Sequence, residues 1–477
     1  MLALFAQLVA VLALRHRLGK TWLRRPVVLL VLASVVYNGL SQVLLSIPSI
    51  GQWNIYRRGV PQSFADRASL IMSAGMLAFT ACYLLTRPEQ ARAVPGEHDV
   101  RVAARVLDWR LLGLACAPLA VLTYEGRGYN NGTLAAGAGA SGATDLASAF
   151  FVILVLLASF SFVLSREGRR LVPVLAVQSL LLAAAGERTP VISCAIALVL
   201  LLAYAGYRPS RRQLRAAAGL TVLVILSISG VRAEQGRMIF SGNTGLGARL
   251  SALGSGLSGL GATSSGDSPG LLAQTAVRLD GTDFAGAILQ AESFGQPRLS
   301  AAAVPESALI AVPSALWPSK LDHALNPVQA EMQAFGLRQV NFLPGLAGLY
   351  AGFLAWPWLI VFLAFLGAVG GRAERWLLWS WTPARTVMLA GALIAALSYE
   401  RGLPGLLVAF RPAVAIALAV IVAMAARRPV PAQAIPSPPR NVKIQTLLRA
   451  RPRVARAGPS RSRGTLGRAD VIRDADE

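Results

Sequence analysis

The chain has 477 residues, of which 55% are hydrophobic and only 14% charged, and its formal net charge is +23. Soluble domains carry about a quarter charged residues, so this balance excludes an ordinary soluble globular protein and points to the bilayer. Three cysteines, an odd number and all within apolar runs, exclude a disulfide framework.

In chain order, runs suited to crossing about 30 Å of hydrocarbon fall at residues 1–14, 26–47, 67–86, 110–124, 145–165, 171–186, 189–206, 216–231, 355–371, 385–399 and 404–426. They predict an all-α, polytopic integral membrane bundle of about eleven transmembrane helices. The first run has no basic leader and no small-residue cleavage site, so it reads as a membrane helix and not as a cleaved signal.

Four regions follow: N-terminal membrane helices over 1–231, a long external loop over 232–341, C-terminal membrane helices over 342–426, and a basic tail over 427–477. The loop opens with "GNTGLGARLSALGSGLSGLGATSSGDSPG", whose Gly/Ser content predicts a flexible strap. Beyond Leu271, helical spacing of Val277, Phe284, Ile288 and Leu289 predicts a short helix lying on the outer face or capping the bundle. The tail is rich in Pro and then in Arg, a composition suited to a disordered strand drawn to anionic lipid. Nucleic-acid binding is the less favoured reading of that tail, and no nucleic-acid partner is expected.

Basic residues crowd alternate connections: Arg15, Arg17, Lys20, Arg24 and Arg25; Arg87, Arg92, Arg101 and Arg105; Arg166, Arg169 and Arg170; Arg208, Arg211, Arg212 and Arg215; Arg372 and Arg375. By the positive-inside rule the N-terminus is outside and the C-terminus is cytoplasmic. His16, His98 and His323 are scattered over different connections, so no zinc site assembles from local spacing and no metal or cofactor is expected.

The connections expected outside hold few charges: Arg57, Arg58, Glu125, Arg127, Glu187, Arg188, Arg232, Glu234, Arg237 and Arg401. Each alone reads as a rim residue, and Gly186, Thr189 and Pro190 make "GERTP" a plausible tight turn. Together these residues suggest a cationic cavity open to the outside. An arginine fork donates two hydrogen bonds to phosphate oxygens, which suits it to a diphosphate. Glu187, Asp280 and Asp283 are the candidate general bases, although Glu187 serves equally well as an ion-pair partner of Arg188.

The loop also contains "VPSALWPSK" and then "NFLPGLAGLYAGF". With Pro313, Trp317, Pro318 and Lys320, with Gly345, Gly348, Tyr350 and Gly352, and with Gly186 and Arg188, the chain resembles the Wzy-type oligosaccharide repeat-unit polymerases, the O-antigen polymerase group. Arg278 lies where members of that family carry an external arginine; the acidic residue that many of them have just before the Tyr is missing here. The resemblance implies a glycosyltransferase of the bacterial inner membrane acting on the outer face. Its substrate would be an undecaprenyl-diphosphate-linked oligosaccharide, extended into a cell-surface polysaccharide, with membrane lipids and a chain-length regulator as further partners. Arg188, Glu187, Lys320 and Arg278 would be the catalytic residues, and Arg232, Arg237, Arg338, Trp317 and Tyr350 would bind substrate.

Four other readings stay open. An O-antigen ligase-like transferase shares the bundle and the lipid diphosphate. A polyprenyl-phosphate-dependent mannosyltransferase would carry paired acids on the first external loop, where residues 48–66 offer only Asp66. A lipid-linked oligosaccharide transporter would carry charges within its helices and repeat symmetry. A non-catalytic scaffold would have no need of the external arginines. The alternating charges make one direct prediction: a topology reporter fused after Gly266 reads external and one fused after Arg440 reads cytoplasmic. A cytoplasmic reading at Gly266 would remove the long loop from the outer face.

Overall fold

The computed structural model describes residues 2–86, 107–126, 142–166, 170–186, 188–234, 245–259, 273, 276–277, 279–313, 316–317, 326–337 and 345–426. Its regular structure among these residues is helical throughout. The main helices are α1 (Leu2–Leu18), α2 (Pro26–Leu45), α3 (Gln62–Thr86), α4 (Trp109–Gly126), α5 (Gly142–Ser165), α6 (Leu171–Ala183), α7 (Arg188–Tyr204) and α8 (Arg211–Glu234). They continue with α9 (Leu246–Gly259), α10 (Thr282–Ser293), α11 (Pro327–Ala334), α12 (Trp356–Leu378), α13 (Pro383–Leu397) and α14 (Gly402–Ala426).

Each of the eleven apolar runs coincides with one helix, from α1 to α8 and from α12 to α14. Six segments are both long and apolar enough to cross a membrane: Pro26–Leu45, Gln62–Thr86, Leu146–Ser165, Arg211–Val231, Trp356–Leu378 and Tyr399–Ala426. The protein is thus a helical chain with the make-up of a membrane protein. Local chemistry sets several helix starts. Pro26 and Pro383 stand in the first turns of α2 and α13, where a missing N–H costs nothing, and Thr382 caps α13 by accepting from Arg385 N at 3.2 Å.

The core falls into two large clusters, with a small third one of Leu45, Ile50, Ala273 and Ala276. One large cluster joins α4 to α9 with α13, and the other joins α1 to α3 with α10, α12 and the segment around Tyr350. They meet at α2, which sends Leu29 into the first cluster and Val27, Val28 and Val31 into the second. Within the second cluster α3 and α12 lie against each other through glycines. A Cβ on Gly75 would strike Leu363, one on Gly367 the backbone of Phe79, and one on Gly371 the Thr86 hydroxyl and Tyr83 carbonyl. The contacts advance together along both helices, so the two run parallel. Such small-residue contacts let backbones approach where lipid supplies no hydrophobic drive.

A polar knot closes one end of that pair. Arg25, just before α2, is 3.0 Å from Glu374 of α12, and both are buried. Glu374 also accepts from the Tyr83 hydroxyl at 2.7 Å and Val27 N at 3.4 Å. The hydroxyl of Tyr204, at the end of α7, donates to the carbonyl oxygen of neighbouring Arg24. The ends of α3, α7 and α12 and the start of α2, all assigned to one face by the charge pattern, are therefore gathered together.

The expectation of a Gly/Ser strap is corrected in part: residues 246–259 form α9, packed on α8. A Cβ on Gly230 would collide with the Gly256 carbonyl, and the Ser227 hydroxyl donates to Leu253 O. The small residues that suggested flexibility instead permit close backbone contact. The rest of that stretch, and the basic tail 427–477, lie outside the described residues. The short helix expected beyond Leu271 is α10, and Phe284 and Ile288 are fully buried against the second cluster.

Removing one member of a buried ion pair leaves the other charge stranded. Glu374→Ala is expected to destabilise the protein by about 3–5 kcal/mol, and Arg25→Met/Glu374→Met to recover most of the loss. Thermal unfolding in detergent measures this; a double variant as unstable as Glu374→Ala would refute the ion-pair account.

Candidate functional site

Three buried polar clusters stand out. The first contains Arg188. Helix α6 ends in a turn closed by Gly186 N donating to Ala183 O at 2.7 Å, and Gly186 takes φ +76, a left-handed value that favours glycine. Arg188 then begins α7, partly buried, and its Nη1 donates to the Ser229 hydroxyl at 3.0 Å. Ser229 lies one helical turn before Arg232 on α8.

Next to Arg188, the Thr189 hydroxyl donates to Glu400 Oε1 at 3.1 Å, and the Tyr37 hydroxyl donates to Glu400 Oε2 at 3.0 Å. Glu400 is buried in the short turn Tyr399–Arg401, between α13 and α14. Tyr37 comes from Val35–Leu40, a π-helical stretch in the middle of α2. Such wide turns break the i→i−4 ladder and re-aim side chains, and they recur at functional sites. Asn38 of the same stretch donates to the Tyr399 hydroxyl and the Ser34 hydroxyl, each at 3.1 Å. Elements distant in sequence thus place the Glu400 carboxylate, the Thr189, Tyr37 and Ser229 hydroxyls and the Arg188 guanidinium around the start of α7.

The second cluster is an acid pair. Asp280 and Asp283, both buried, flank the start of α10. Asn54 Nδ2 donates to Asp280 Oδ2 at 2.6 Å and Asp283 Oδ2 at 3.1 Å, and Gln42 Nε2 donates to Asp280 Oδ1 at 2.7 Å. Asp280 Oδ1 also accepts from Thr282 N and Asp283 N at 3.0 and 3.1 Å. Burial, joined by the charge of Asp283, holds the Asp280 carboxyl well above the usual carboxylate range. Burial raises Asp283 too, against the lowering influence of the Asp280 hydrogen bond and Arg57. The pair keeps a proton under conditions in which a free aspartate has lost its own.

The third cluster surrounds Tyr350. The tyrosine is fully buried and its hydroxyl lies 2.9 Å from the Ser307 hydroxyl. Two residues on, Gly352 N donates to Glu331 Oε1 at 2.8 Å. Glu331 is fully buried on α11, its other oxygen has no hydrogen-bond partner among the described residues, and burial pushes its carboxyl well up. Burial also pushes the Tyr350 hydroxyl up to about 12. A chain with no acid just before Tyr350 in sequence therefore has one beside it in space.

Of the residues expected to act, Arg188 joins the Glu400 cluster through its neighbour Thr189. Tyr350 is fully buried, and its ring packs edge-on against Phe353 and Phe362. Trp317 is partly exposed, and its backbone N–H donates to the Pro313 carbonyl at 3.1 Å. Arg232 lies within α8, and Glu187, Arg237, Arg278, Lys320 and Arg338 lie outside the described residues.

Glu400 was not singled out from the sequence, yet its signal is there: "YERG" repeats the Glu-Arg pair of "GERT" at a second short connection. Arg249 is also new. Fully buried on α9, it donates to Tyr124 O at 2.7 Å and Ala184 O at 3.1 Å, at the ends of α4 and α6. It holds the turn that launches Arg188. Its signal was the spacing of Leu246, Leu250, Leu253 and Leu257, which is helical despite the intervening glycines. Among the described residues no three His, Cys, Asp or Glu side chains gather as a metal site. No protein-family model, curated protein or solved structure matches the chain.

The acid pair sets a pH dependence. Unfolded aspartates ionise near pH 4, whereas the folded pair retains a proton, so the folded state binds more protons over the interval between. Stability is therefore expected to fall as pH rises above about 4 and through the raised value of the pair. Asp283→Asn should flatten this fall in thermal-unfolding scans across pH. Identical slopes for both proteins would show that the pair ionises freely in the fold.

Proposed function

We propose that the protein is a membrane glycosyltransferase that polymerises oligosaccharide repeat units carried on undecaprenyl diphosphate, an O-antigen or exopolysaccharide polymerase of the bacterial inner membrane. It acts on the outer face, with eleven spans, the N-terminus outside and the C-terminus cytoplasmic. The observation that carries the reading is the placement of partly exposed Arg188 directly beside Thr189, whose hydroxyl is bound to the buried carboxylate Glu400. The motif resemblance around Arg188, Lys320 and Tyr350 supports it.

The chemistry suits these groups. An acceptor hydroxyl attacks the anomeric carbon of the donor sugar, a new C–O bond forms and the bond to the diphosphate breaks. The electron pair and negative charge go to the diphosphate, where a fixed guanidinium stabilises them without reorganising. The acceptor proton needs a base, and Glu400 is the carboxylate beside the arginine, oriented by the Thr189 and Tyr37 hydroxyls. Of the other carboxyls considered as base, Asp280 and Asp283 are held protonated by burial, and Glu187 lies outside the described residues.

Deleting the gene and sizing the cell-surface glycan tests the reading: loss of the polymer ladder with single repeat units retained is expected. Single-unit loss, or an unchanged ladder, would refute polymerisation. In membranes matched for protein amount, Arg188→Ala should lower polymer formation about ten- to a hundredfold, the scale of one charge-assisted hydrogen bond. Arg188→Lys should fall between, because it keeps the charge and loses the fork. Normal polymer from Arg188→Ala would leave "GERTP" as a turn and nothing more.

A further inference from the structure

Arg411 stands inside α14, with residues 412–426 following it to the helix end. At 1.5 Å per residue those fifteen residues reach roughly 22 Å, short of the ~30 Å hydrocarbon core. If α14 crosses the bilayer, Arg411 therefore lies well below the outer interface, and tilting the helix only deepens it. A guanidinium at that depth faces protein or a water-filled cavity, not lipid.

The surroundings make the same demand independently. Arg411 Nη1 donates at 3.2 Å to the carbonyl oxygen of Ala311, in the long loop. Ala311 ends the short 3-10 turn Leu309–Ala311, and Val312 beyond it is extended, with φ −65 and ψ 128. Irregular backbone thus reaches the Arg411 guanidinium. Non-helical backbone persists at membrane depth only when enclosed by protein or when lining a polar space. Here it is not enclosed: Leu309 is 36% exposed, and Ile310, Ala311, Val312, Pro313 and Arg411 itself are all partly exposed. The turn leads directly into Pro313 and Trp317, the start of the "P…W-P-x-K" run.

We propose that Arg411 and the 309–313 turn line a polar cleft that enters the bilayer from the outer face and receives the diphosphate headgroup of a lipid whose chain stays in the hydrocarbon. A cation set below the interface suits an anion tethered to a lipid, and an arginine fork pairs with phosphate oxygens. The identity of the headgroup rests on the polymerase reading; the cleft does not.

The test uses full-length protein in lipid nanodiscs, where both faces are open to reagent, with Cys82, Cys116 and Cys194 replaced by alanine. A charged, membrane-impermeant methanethiosulfonate is expected to label Arg411→Cys within about tenfold of the rate at an exposed loop position, Gln296→Cys. Leu418→Cys, on the exposed apolar side of α14, should label at least about a hundredfold more slowly. Labelling of Arg411→Cys as slow as that of Leu418→Cys would overturn the cleft. Binding of undecaprenyl diphosphate to Arg411→Gln should be about tenfold weaker than to wild type, with Arg411→Lys in between and undecaprenol binding unchanged. The lysine variant keeps a cation in place should the glutamine variant misfold. Equal affinity for wild type and Arg411→Gln would overturn the headgroup assignment. Displacement by inorganic pyrophosphate at equal concentration would overturn the lipid source and leave a soluble phosphate ester. A labelled, diphosphate-binding cleft in a protein whose deletion leaves the glycan ladder intact would sink the polymerase reading alone.

Discussion

Close backbone approach between α3 and α12 is the constraint on which the second half of the molecule rests. Gly75, Gly367 and Gly371 remove the side chains that would hold the helices apart. Between lipid-bathed helices, packing and polar contacts do the work that water does for a soluble core. With the two helices in register, Tyr83 reaches Glu374, and Glu374 reaches Arg25 and the start of α2. Alpha-2 in turn divides the two core clusters. A bulky residue in the glycine row would therefore disturb the ion pair as well as the packing.

The same device recurs where the loop joins the bundle. Gly230 and Gly256 bring α8 and α9 into backbone contact, and that places Arg249 between the ends of α4 and α6. A fully buried arginine is costly unless its donors are met, and the carbonyls at two helix ends are natural acceptors. The long loop is accordingly part of the bundle: α10 fills the second core, α9 braces the first, and the 309–313 turn reaches α14.

The candidate site occupies a break in regular structure. Tyr37 and Asn38 reach Glu400 and Tyr399 because α2 widens to a π-turn over Val35–Leu40. Gly345, at φ +74, lets the loop before α12 press on the Tyr399 ring, where a Cβ would lie 2.8 Å from a ring carbon. The loop segment that ends in Tyr350 thus touches the site from behind, through Tyr399. A carboxylate held by two hydroxyls, with a guanidinium one residue from one of them, is a polar arrangement maintained in a largely apolar bundle.

Helix positions were legible in the sequence because a run of apolar residues satisfies its own backbone and needs no partner to be recognised. Which helix ends share a face was legible too: the alternation of arginine-rich connections agrees with the gathering of Arg25, Tyr83, Tyr204 and Glu374. Arg188 stands out in the sequence as a charge that a turn made by Gly186, Thr189 and Pro190 does not require. Glu400, Arg249, Glu331 and Arg411 were not legible, since each acquires its meaning from partners 21 to 363 residues away. Composition also misjudged α9, because glycine and serine weaken an isolated helix and yet favour one that packs backbone to backbone. Sequence alone determined the helices and the alternation of basic connections between them, which depend on each segment's own hydrophobicity and charge. Tertiary structure decided which polar groups meet, because that depends on how closely helices approach and where their ladders break.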